Sequence, residues 1–265
     1  MGKMKKYLLD YSVCIETMFL EYEPIDRVEA SAACGLKDLE IWFWTAYDLD
    51  RLEEKTKEHD AKLIIMNAAS TQYPGITDEL WQGILSSKSD AATMEAVEET
   101  IGVCKRFGCE RLLLLPGNRD ENQTFAAQWD RLSRVVSDVA ALLEKHDMTL
   151  ILEPLNTFTR PHCFISRAQD GFRFLRQLGR PNVLLLYDIF HQQQMEGNLI
   201  NTLRENMPLI GHIHVADVPD RLPPGQGEVN FKNILTTIHG TGYRGYTGLE
   251  YFSREKTEDT LGFLL

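Results

Sequence analysis

Four polar residues in the C-terminal half of the chain each end a run of mainly apolar residues, and together they could bind a metal ion. Glu153, Asp188, His214 and Glu250 are separated by steps of 35, 26 and 36 residues. Steps of this length suit one strand, one loop and one helix each. Because the carboxyl ends of parallel strands meet at one rim, we expect the four side chains to converge there. Three carboxylates and one imidazole are ligands that suit Mn²⁺ or Mg²⁺, with Co²⁺ tolerated, better than a structural zinc ion.

The run that ends at Asp188 is typical of a parallel strand buried on both faces. Five apolar or aromatic residues precede the acid without alternation. Counting by twos places Leu186 and Leu184 on the face of Asp188, and Leu185 and Tyr187 on the other face. An aspartate here can also cap the next helix, so the sequence leaves both roles open.

Eight strand patterns alternate with helical patterns along the chain. Strands are predicted at 7–15, 36–41, 61–67, 111–118 with its turn, 148–153, 182–188, 210–215 and 246–250. Helices are predicted at 24–34, 49–59, 90–108, 123–145, 168–178, 199–206 and 231–239, with a short last one at 257–265. This alternation predicts a (β/α)8 TIM barrel, α/β in class, that forms one domain over residues 1–265.

Composition and charge restrict the classes of partner. The formal net charge is −11, from 28 Lys and Arg against 39 Asp and Glu, so we expect no nucleic-acid partner. No apolar run is long enough to span a membrane, and Asp10 interrupts the only N-terminal apolar stretch, so neither a membrane nor a signal peptide is expected. The five scattered cysteines favour reduced thiols in a cytoplasmic enzyme. The sequence leaves open whether the protein forms a homo-oligomer.

Further residues near the predicted rim are candidates for substrate contact. Asn67 ends the third strand and Trp44 follows the second, within the aromatic run 42–44 that packs under a loop or forms a wall for a small ligand. The long segment 68–89 is expected to form a lid and contains Trp81. His212 shares the inward parity of His214, and we interpret it as a hydrogen-bonded core histidine and not as a ligand.

Several motifs resemble those of the hydroxypyruvate isomerase branch of the xylose isomerase-like barrels. They are EPLNT at 153–157, YDIFHQQQMEGN at 187–198, GHIHVADVPDR at 211–221, PGQGEVN at 224–230 and GLEY at 248–251. Their order and spacing cover the chain from residue 150 onward, whereas the N-terminal half agrees only in pattern.

The resemblance implies a site for one divalent metal ion per chain, with Glu153, Asp188, His214 and Glu250 as ligands. It implies that Glu153 and Glu250 are also the acid/base pair, and that His191 and Arg221 contact the substrate. The fork of an arginine can hold a carboxylate through two bonds, which favours an acidic substrate at Arg221. The expected reaction isomerises a small keto acid or sugar through an enediolate, with hydroxypyruvate and tartronate semialdehyde as the leading pair.

Alternatives to this reaction remain. Related hydroxypyruvate isomerases commonly carry Gln where this chain has His214, whereas ketose 3-epimerases have His there. Those epimerases place a substrate-binding acid near the position of Thr159, and this chain lacks that acid. A ketose 3-epimerase is therefore the runner-up. A keto-polyol dehydratase and a metal-dependent apurinic endonuclease are less favoured, and a sugar-binding scaffold without catalysis is disfavoured because both glutamates are present.

Overall fold

Eight parallel strands close into a barrel in sequence order, with β1 paired to β8. A computed structural model describes residues 8–71, 82–87 and 89–264. The strands are β1 (Tyr11–Cys14), β2 (Asp38–Ile41), β3 (Lys62–Asn67), β4 (Arg111–Leu114), β5 (Thr149–Leu152), β6 (Val183–Asp188), β7 (Ile210–Val215) and β8 (Thr247–Leu249). The (β/α)8 prediction is confirmed, and the predicted strands exceed the observed ones mainly at their ends.

Helices follow the strands around the outside of the barrel. They are α1 (Arg27–Ala33), α2 (Leu49–Glu58), α3 (Asp90–Phe107), α4 (Phe125–Glu144), α5 (Ala168–Leu178), α6 (Ile189–Met195), α7 (Leu199–Asn206) and α8 (Phe231–Gly240). The predicted last helix is a 3₁₀ helix, Thr257–Leu264. Helix α6 was not predicted, because it is short and begins directly after β6. Within the described residues, no helix combines the length and apolarity needed to cross a membrane.

Two groups of apolar side chains form the core. The larger group packs between the strands and the helices and includes Leu185 and Tyr187. The smaller group lies inside the barrel and includes Leu186, with Leu184 packed against it. The face predicted for each of these four residues is therefore confirmed, and Asp188 lies above the inner group as expected.

Two shifts in strand register affect the direction of side chains at the rim of the barrel. The β2–β3 register shifts between Leu39 and Glu40, and the β6–β7 register shifts between Leu185 and Leu186. Such shifts re-aim the side chains that follow them. After its shift, β6 pairs Asp188 with His214, and β7 pairs His214 with Gly248. The rim residues of three neighbouring strands are thus brought side by side.

Candidate metal and substrate site

The four predicted ligands converge at the C-terminal rim of the barrel. Glu153 and Glu250 immediately follow β5 and β8, Asp188 ends β6, and His214 is the penultimate residue of β7. One ligand atom from each residue lies within 4.8 Å of the corresponding atoms of the others. All four side chains are buried, with Asp188 fully enclosed. The structure therefore brings together residues that are almost 100 positions apart in sequence.

A cavity of about 420 Å³ opens above these residues. Leu113, Leu115, Ile65 and Leu155 form apolar parts of its wall. Polar residues also line the cavity, namely Glu40, Trp42, Asn67, Glu153, Thr159, Arg160, His191, His214, Asp220, Arg221 and Glu250. A mostly apolar cavity with a few convergent polar groups is suited to a small molecule.

The Nδ1 atom of His214 supports the assignment of a metal site. It lies 2.9 Å from Glu250 Oε2 and 4.0 Å from Glu153 Oε1. It is buried, and among the described residues it has no hydrogen-bond partner of acceptable geometry. A buried ring nitrogen without a hydrogen bond is costly, unless a cation supplies its partner. Three carboxylates around one nitrogen therefore fit a divalent metal ion of the Mn²⁺ or Mg²⁺ type.

The two glutamates differ in their affinity for a proton. Burial, together with the negative charges of Glu250 and Asp188, raises the pKa of Glu153 to about 8. Burial alone would also raise the pKa of Glu250, but Arg221 and His214 hold that pKa well below its usual range. Carboxyl pairs whose environments separate their pKa values in this way are typical of acid/base sites.

Glu40 supports His214 from the side opposite the candidate metal site. Glu40 Oε2 lies 2.8 Å from His214 Nε2, and Glu40 Oε1 lies 2.8 Å from His212 Nε2. Ser12 also donates a hydrogen bond to Glu40 Oε1. The contact with Glu40 favours a proton on His214 Nε2 and leaves the lone pair of Nδ1 to face the other carboxylates. His212 is fully buried and bonded to Glu40, which agrees with its interpretation as a hydrogen-bonded core histidine.

Gly248 makes room for this cluster. A Cβ atom at Gly248 would overlap Glu40 Oε1 and would lie 2.7 Å from His214 Cδ2 and 2.8 Å from His212 Nε2. The close approach of β8 to the two histidines therefore requires glycine at this position.

Asp188 combines the two roles that the sequence left open. Its Oδ1 accepts hydrogen bonds from the backbone N–H groups of Phe190, at 2.7 Å, and His191, at 3.4 Å, and so caps α6. Its Oδ2 lies 2.8 Å from Arg221 Nη2 at the candidate site. One carboxylate thus starts a helix with one oxygen and contributes to the site with the other.

Arg221 reaches the cavity as predicted, but most of its donors are engaged by the protein. Nη2 donates to Asp188 Oδ2 and Glu250 Oε2, and Nε donates to the Glu250 carbonyl oxygen at 3.1 Å. Nη1 lies 3.2 Å from His191 Nε2. The expected two-point grip of Arg221 on a substrate carboxylate is therefore not open in this structure.

Asp217 organises the loop that carries Arg221, and sequence reasoning missed it. Its Oδ1 accepts from the backbone N–H groups of Val218 and Val229, at 2.9 and 3.0 Å. Its Oδ2 accepts from Gly225 and Gly227, both at 2.9 Å. These glycine N–H groups are thus used within the protein. A polar residue three positions after His214 was the available signal.

His191 lines the cavity and contacts the loop after β5. Its Nδ1 accepts from the Asn156 backbone N–H at 3.1 Å, and the Asn156 side-chain amide lies 2.7 Å from the same atom. Burial lowers the pKa of His191 to about 4, so its ring is neutral at neutral pH. A neutral ring beside Glu153 and Asp188 can share a hydrogen bond with a substrate without adding charge.

The aromatic run 42–44 divides between the core and the cavity. The prediction that Trp44 contacts the substrate is wrong, because Trp44 starts a 3₁₀ turn, is 6 % exposed and donates to Thr100 Oγ1 at 3.0 Å. Trp42 lines the cavity instead, and its Nε1 donates to Glu250 Oε1 at 2.7 Å. Asn67 lies in the cavity wall as predicted. The lid prediction concerns 68–89, of which 72–81, with Trp81, and residue 88 lie outside the described residues.

The fold and the site define a class of protein: the chain belongs to the xylose isomerase-like TIM barrel family, whose model matches residues 28–265. A putative hydroxypyruvate isomerase of Homo sapiens is 31% identical over 97% of this chain and 94% of its own length. A 2-oxo-tetronate isomerase of Pectobacterium atrosepticum is 28% identical over 96% of this chain and 95% of its own length.

A crystal structure described as an AP endonuclease, family 2, from Brucella melitensis superposes with a TM-score of 0.87. It is 26% identical and covers 96% of this chain and 97% of its own. The similarity to the named isomerases extends over nearly the full chain, so the protein is an isomerase of this family.

Proposed function

We propose that the protein is a divalent-metal-dependent isomerase that converts hydroxypyruvate to tartronate semialdehyde. The observation that carries the proposal is the convergence of Glu153, Asp188, His214 and Glu250 within 4.8 Å at the base of a small cavity. The names of the relatives, a putative hydroxypyruvate isomerase and a 2-oxo-tetronate isomerase, favour a small keto acid. The cavity, of about 420 Å³, is large enough to enclose a substrate of this size.

The proposed chemistry needs a metal ion and two carboxylates. Glu153, Asp188, His214 and Glu250 would hold one ion, of which Mn²⁺ and Mg²⁺ are the preferred candidates. Bound there, the ion would act as a Lewis acid for the negative charge that develops on the substrate oxygens. One glutamate removes a proton from C3 of hydroxypyruvate, and a glutamate returns a proton to C2. The hydroxyl proton on the C3 oxygen passes to the C2 oxygen, so that C3 becomes the aldehyde and C2 carries the hydroxyl group. General acid/base catalysis of this kind contributes about 10²–10⁴-fold to the rate.

The cavity supplies further conditions for the reaction. Its apolar wall limits the access of water to the charged intermediate. Trp42 donates to Glu250, and Arg221 donates to Glu250 and Asp188, so these carboxylates keep a defined orientation. The neutral His191 ring lies within reach of Asp188 and Glu153 and is proposed to contact a substrate hydroxyl group. Asn67 is proposed to contact the substrate from the opposite part of the wall.

Deuterium incorporation tests this function. The metal-supplied enzyme is incubated in D₂O with hydroxypyruvate and, separately, with free ketoses, and NMR follows the label. Label at C2 of tartronate semialdehyde supports the proposal, whereas label at C3 of a ketose with inversion identifies the epimerase alternative. Glu250→Gln should abolish turnover while circular dichroism shows a folded protein. Full activity after chelation and metal analysis without a divalent ion would disprove metal dependence.

The remaining predictions concern the setting of the enzyme. All five cysteines are free, which agrees with reduced thiols and supports a cytoplasmic location as part of the proposal. Two statements stay predictions: that residues 1–265 form a single domain, and that the protein can form a homo-oligomer.

A further inference from the structure

We infer that Arg160, and not Arg221, binds the carboxylate of an anionic substrate in the candidate-site cavity. The inference rests on the proposed function and deepens it, because it names the residue that selects a keto acid over a neutral sugar. It follows from the contacts that engage Arg221 and from the place of Arg160 in the wall of the cavity.

The donors of Arg221 are committed to the site itself. A guanidinium has five N–H groups, and a two-point grip on a carboxylate needs two adjacent donors. Nη2 uses both of its hydrogens on Asp188 and Glu250, and Nε uses its hydrogen on the Glu250 carbonyl oxygen. Only Nη1 is left. The positive charge of Arg221 is also offset by two buried carboxylates, so it attracts a further anion weakly.

Arg160 lies in another part of the same cavity wall. It belongs to the loop after β5 and lines the cavity together with Glu153, Leu155 and Thr159. Its side chain is half-buried. Partial burial lowers the pKa of Arg160 from its ordinary value, while the negative charge of nearby Glu153 acts in the opposite direction. A partly desolvated cation forms stronger hydrogen bonds to an anion than a fully exposed one does.

The backbone that presents Arg160 is held in place. The side-chain oxygen of Asn156 accepts from the backbone N–H groups of Phe158 and Thr159, at 2.9 and 2.8 Å, and from Thr159 Oγ1 at 3.1 Å. The Arg160 N–H donates to the Asn156 carbonyl oxygen at 3.1 Å. Asn156 is in turn bonded to His191, so the loop after β5 is tied to the first turn of α6, which follows the neighbouring strand β6. The position of Arg160 relative to the catalytic groups is therefore defined.

This arrangement assigns an orientation to the substrate. The carboxylate would contact Arg160 beside Leu155, and the carbonyl and hydroxyl groups would lie toward Glu153 and Glu250. A neutral analogue in which CH₂OH replaces the carboxylate, dihydroxyacetone, offers Arg160 no negative charge. Replacing Arg160 is thus expected to weaken binding of the acid and to leave binding of the neutral analogue unchanged.

The test compares three variants of the metal-supplied enzyme on a charged and a neutral ligand. Arg160→Gln removes the charge, Arg160→Lys keeps it without the fork, and Arg119→Gln is a matched control at an exposed arginine outside the cavity. KM and kcat are measured with hydroxypyruvate and dihydroxyacetone. Titration calorimetry gives the Kd of D-glycerate, an unreactive acid, and circular dichroism checks the fold.

We expect Arg160→Gln to raise the KM for hydroxypyruvate and the Kd for D-glycerate roughly 10²-fold, with kcat changed only a few-fold. Arg160→Lys should recover part of the affinity, and Arg119→Gln should behave as the parent. Unchanged KM and Kd in Arg160→Gln would overturn the inference, even if the parent isomerises hydroxypyruvate. A parent that binds D-glycerate through Arg160 without turning over any keto acid would instead disprove the proposed function and leave the inference standing.

Discussion

The carboxylate of Asp188 shows how closely structure and chemistry are combined in single residues of this barrel. The same side chain caps α6 and faces Arg221 across the site. The capping role is thus observed, and the second oxygen lies where the proposed metal ion would need a ligand. The cap also links the orientation of His191, on the first turn of α6, to the carboxylate cluster.

Glu40 is expected to strengthen metal binding through His214. Replacing Glu40 by Gln keeps the size of the side chain but weakens its hydrogen bond to His214 Nε2, so the ring is less firmly oriented. We expect the Mn²⁺ affinity to fall about 10- to 100-fold, as for other partners of metal-binding histidines. Calorimetric titration with Mn²⁺ measures this directly.

The matched control is Glu99→Gln, whose carboxylate bonds Ser70 and Thr71 away from the cluster. If Glu40→Gln and Glu99→Gln bind Mn²⁺ as tightly as the parent, Glu40 has no part in positioning His214.

Glu16 is expected to make stability depend on pH. Burial raises the pKa of Glu16 to about 7 from an ordinary value of 4.5, although Tyr47 donates a hydrogen bond to it at 3.0 Å. The folded state therefore favours the protonated form. The contribution of Glu16 to the stability of the fold is therefore complete below pH 4.5 and is lost as the pH rises toward 7.

In Glu16→Gln this dependence should disappear. Between about pH 4.5 and about pH 7.5, the parent should lose about 1–2 kcal/mol of its free energy of unfolding relative to the variant. This value is reduced because the Glu16 side chain is partly in contact with solvent. Urea unfolding at both pH values provides the measurement, and an equal difference at the two values would contradict it.

Sequence reasoning found the residues at strand ends and missed most of their partners. Glu153, Asp188, His214 and Glu250 were accessible because each follows an apolar run at a regular spacing. The partner of His214, Glu40, is 174 positions away, and only closure of the barrel brings them together. Trp44 was misassigned because the alternation of a strand does not continue into the 3₁₀ turn that it begins.

At the level of the elements, the loop from Val218 to Val229 depends on one buried carboxylate. Asp217 accepts four backbone hydrogen bonds there, and Arg221 occupies the loop with a φ of +57°, in the left-handed region. Such a backbone conformation persists only where surrounding contacts hold it. Asp217 is thus the positioning residue for Arg221.

Asp217→Asn should loosen this loop, because the amide presents N–H groups to backbone donors. We expect the free energy of unfolding to fall by about 2–3 kcal/mol and proteolytic cleavage within 218–229 to become faster. Unfolding in urea and limited proteolysis measure the two effects. Glu228→Gln, an exposed change in the same loop, is the control, and equal cleavage of both variants would refute the assignment.

The long helices and the barrel were predictable because their apolar periodicity is strong. The predicted bounds of α5 and α7 agree with the structure, and those of α4 differ by one or two residues at each end. The first strand was predicted too long, since mixed polarity around it marks no clear boundary. Helix α6 was missed because it begins directly after β6, with no loop to separate the strand pattern from the helical one.

At the scale of the whole molecule, charge separates the proposed isomerase from an endonuclease. With a net charge of −11, the protein should not be retained on heparin at about 50 mM salt, because its net negative charge repels a polyanion. Chromatography with a DNA-binding protein of similar size as reference measures retention. Elution only above about 300 mM salt would favour the endonuclease alternative.

The hydrogen bond between Trp42 and Glu250 provides a built-in optical probe. Indole emission responds to charge and polarity beside the ring, and Trp42 Nε1 lies 2.7 Å from a candidate ligand oxygen. In a Trp81→Phe background, a Mn²⁺ titration should change the emission, whereas Trp42→Phe should remove that change and leave Trp44 and Trp129 as a constant background. Occupancy of the site could then be followed in real time by stopped flow, without a label and without turnover.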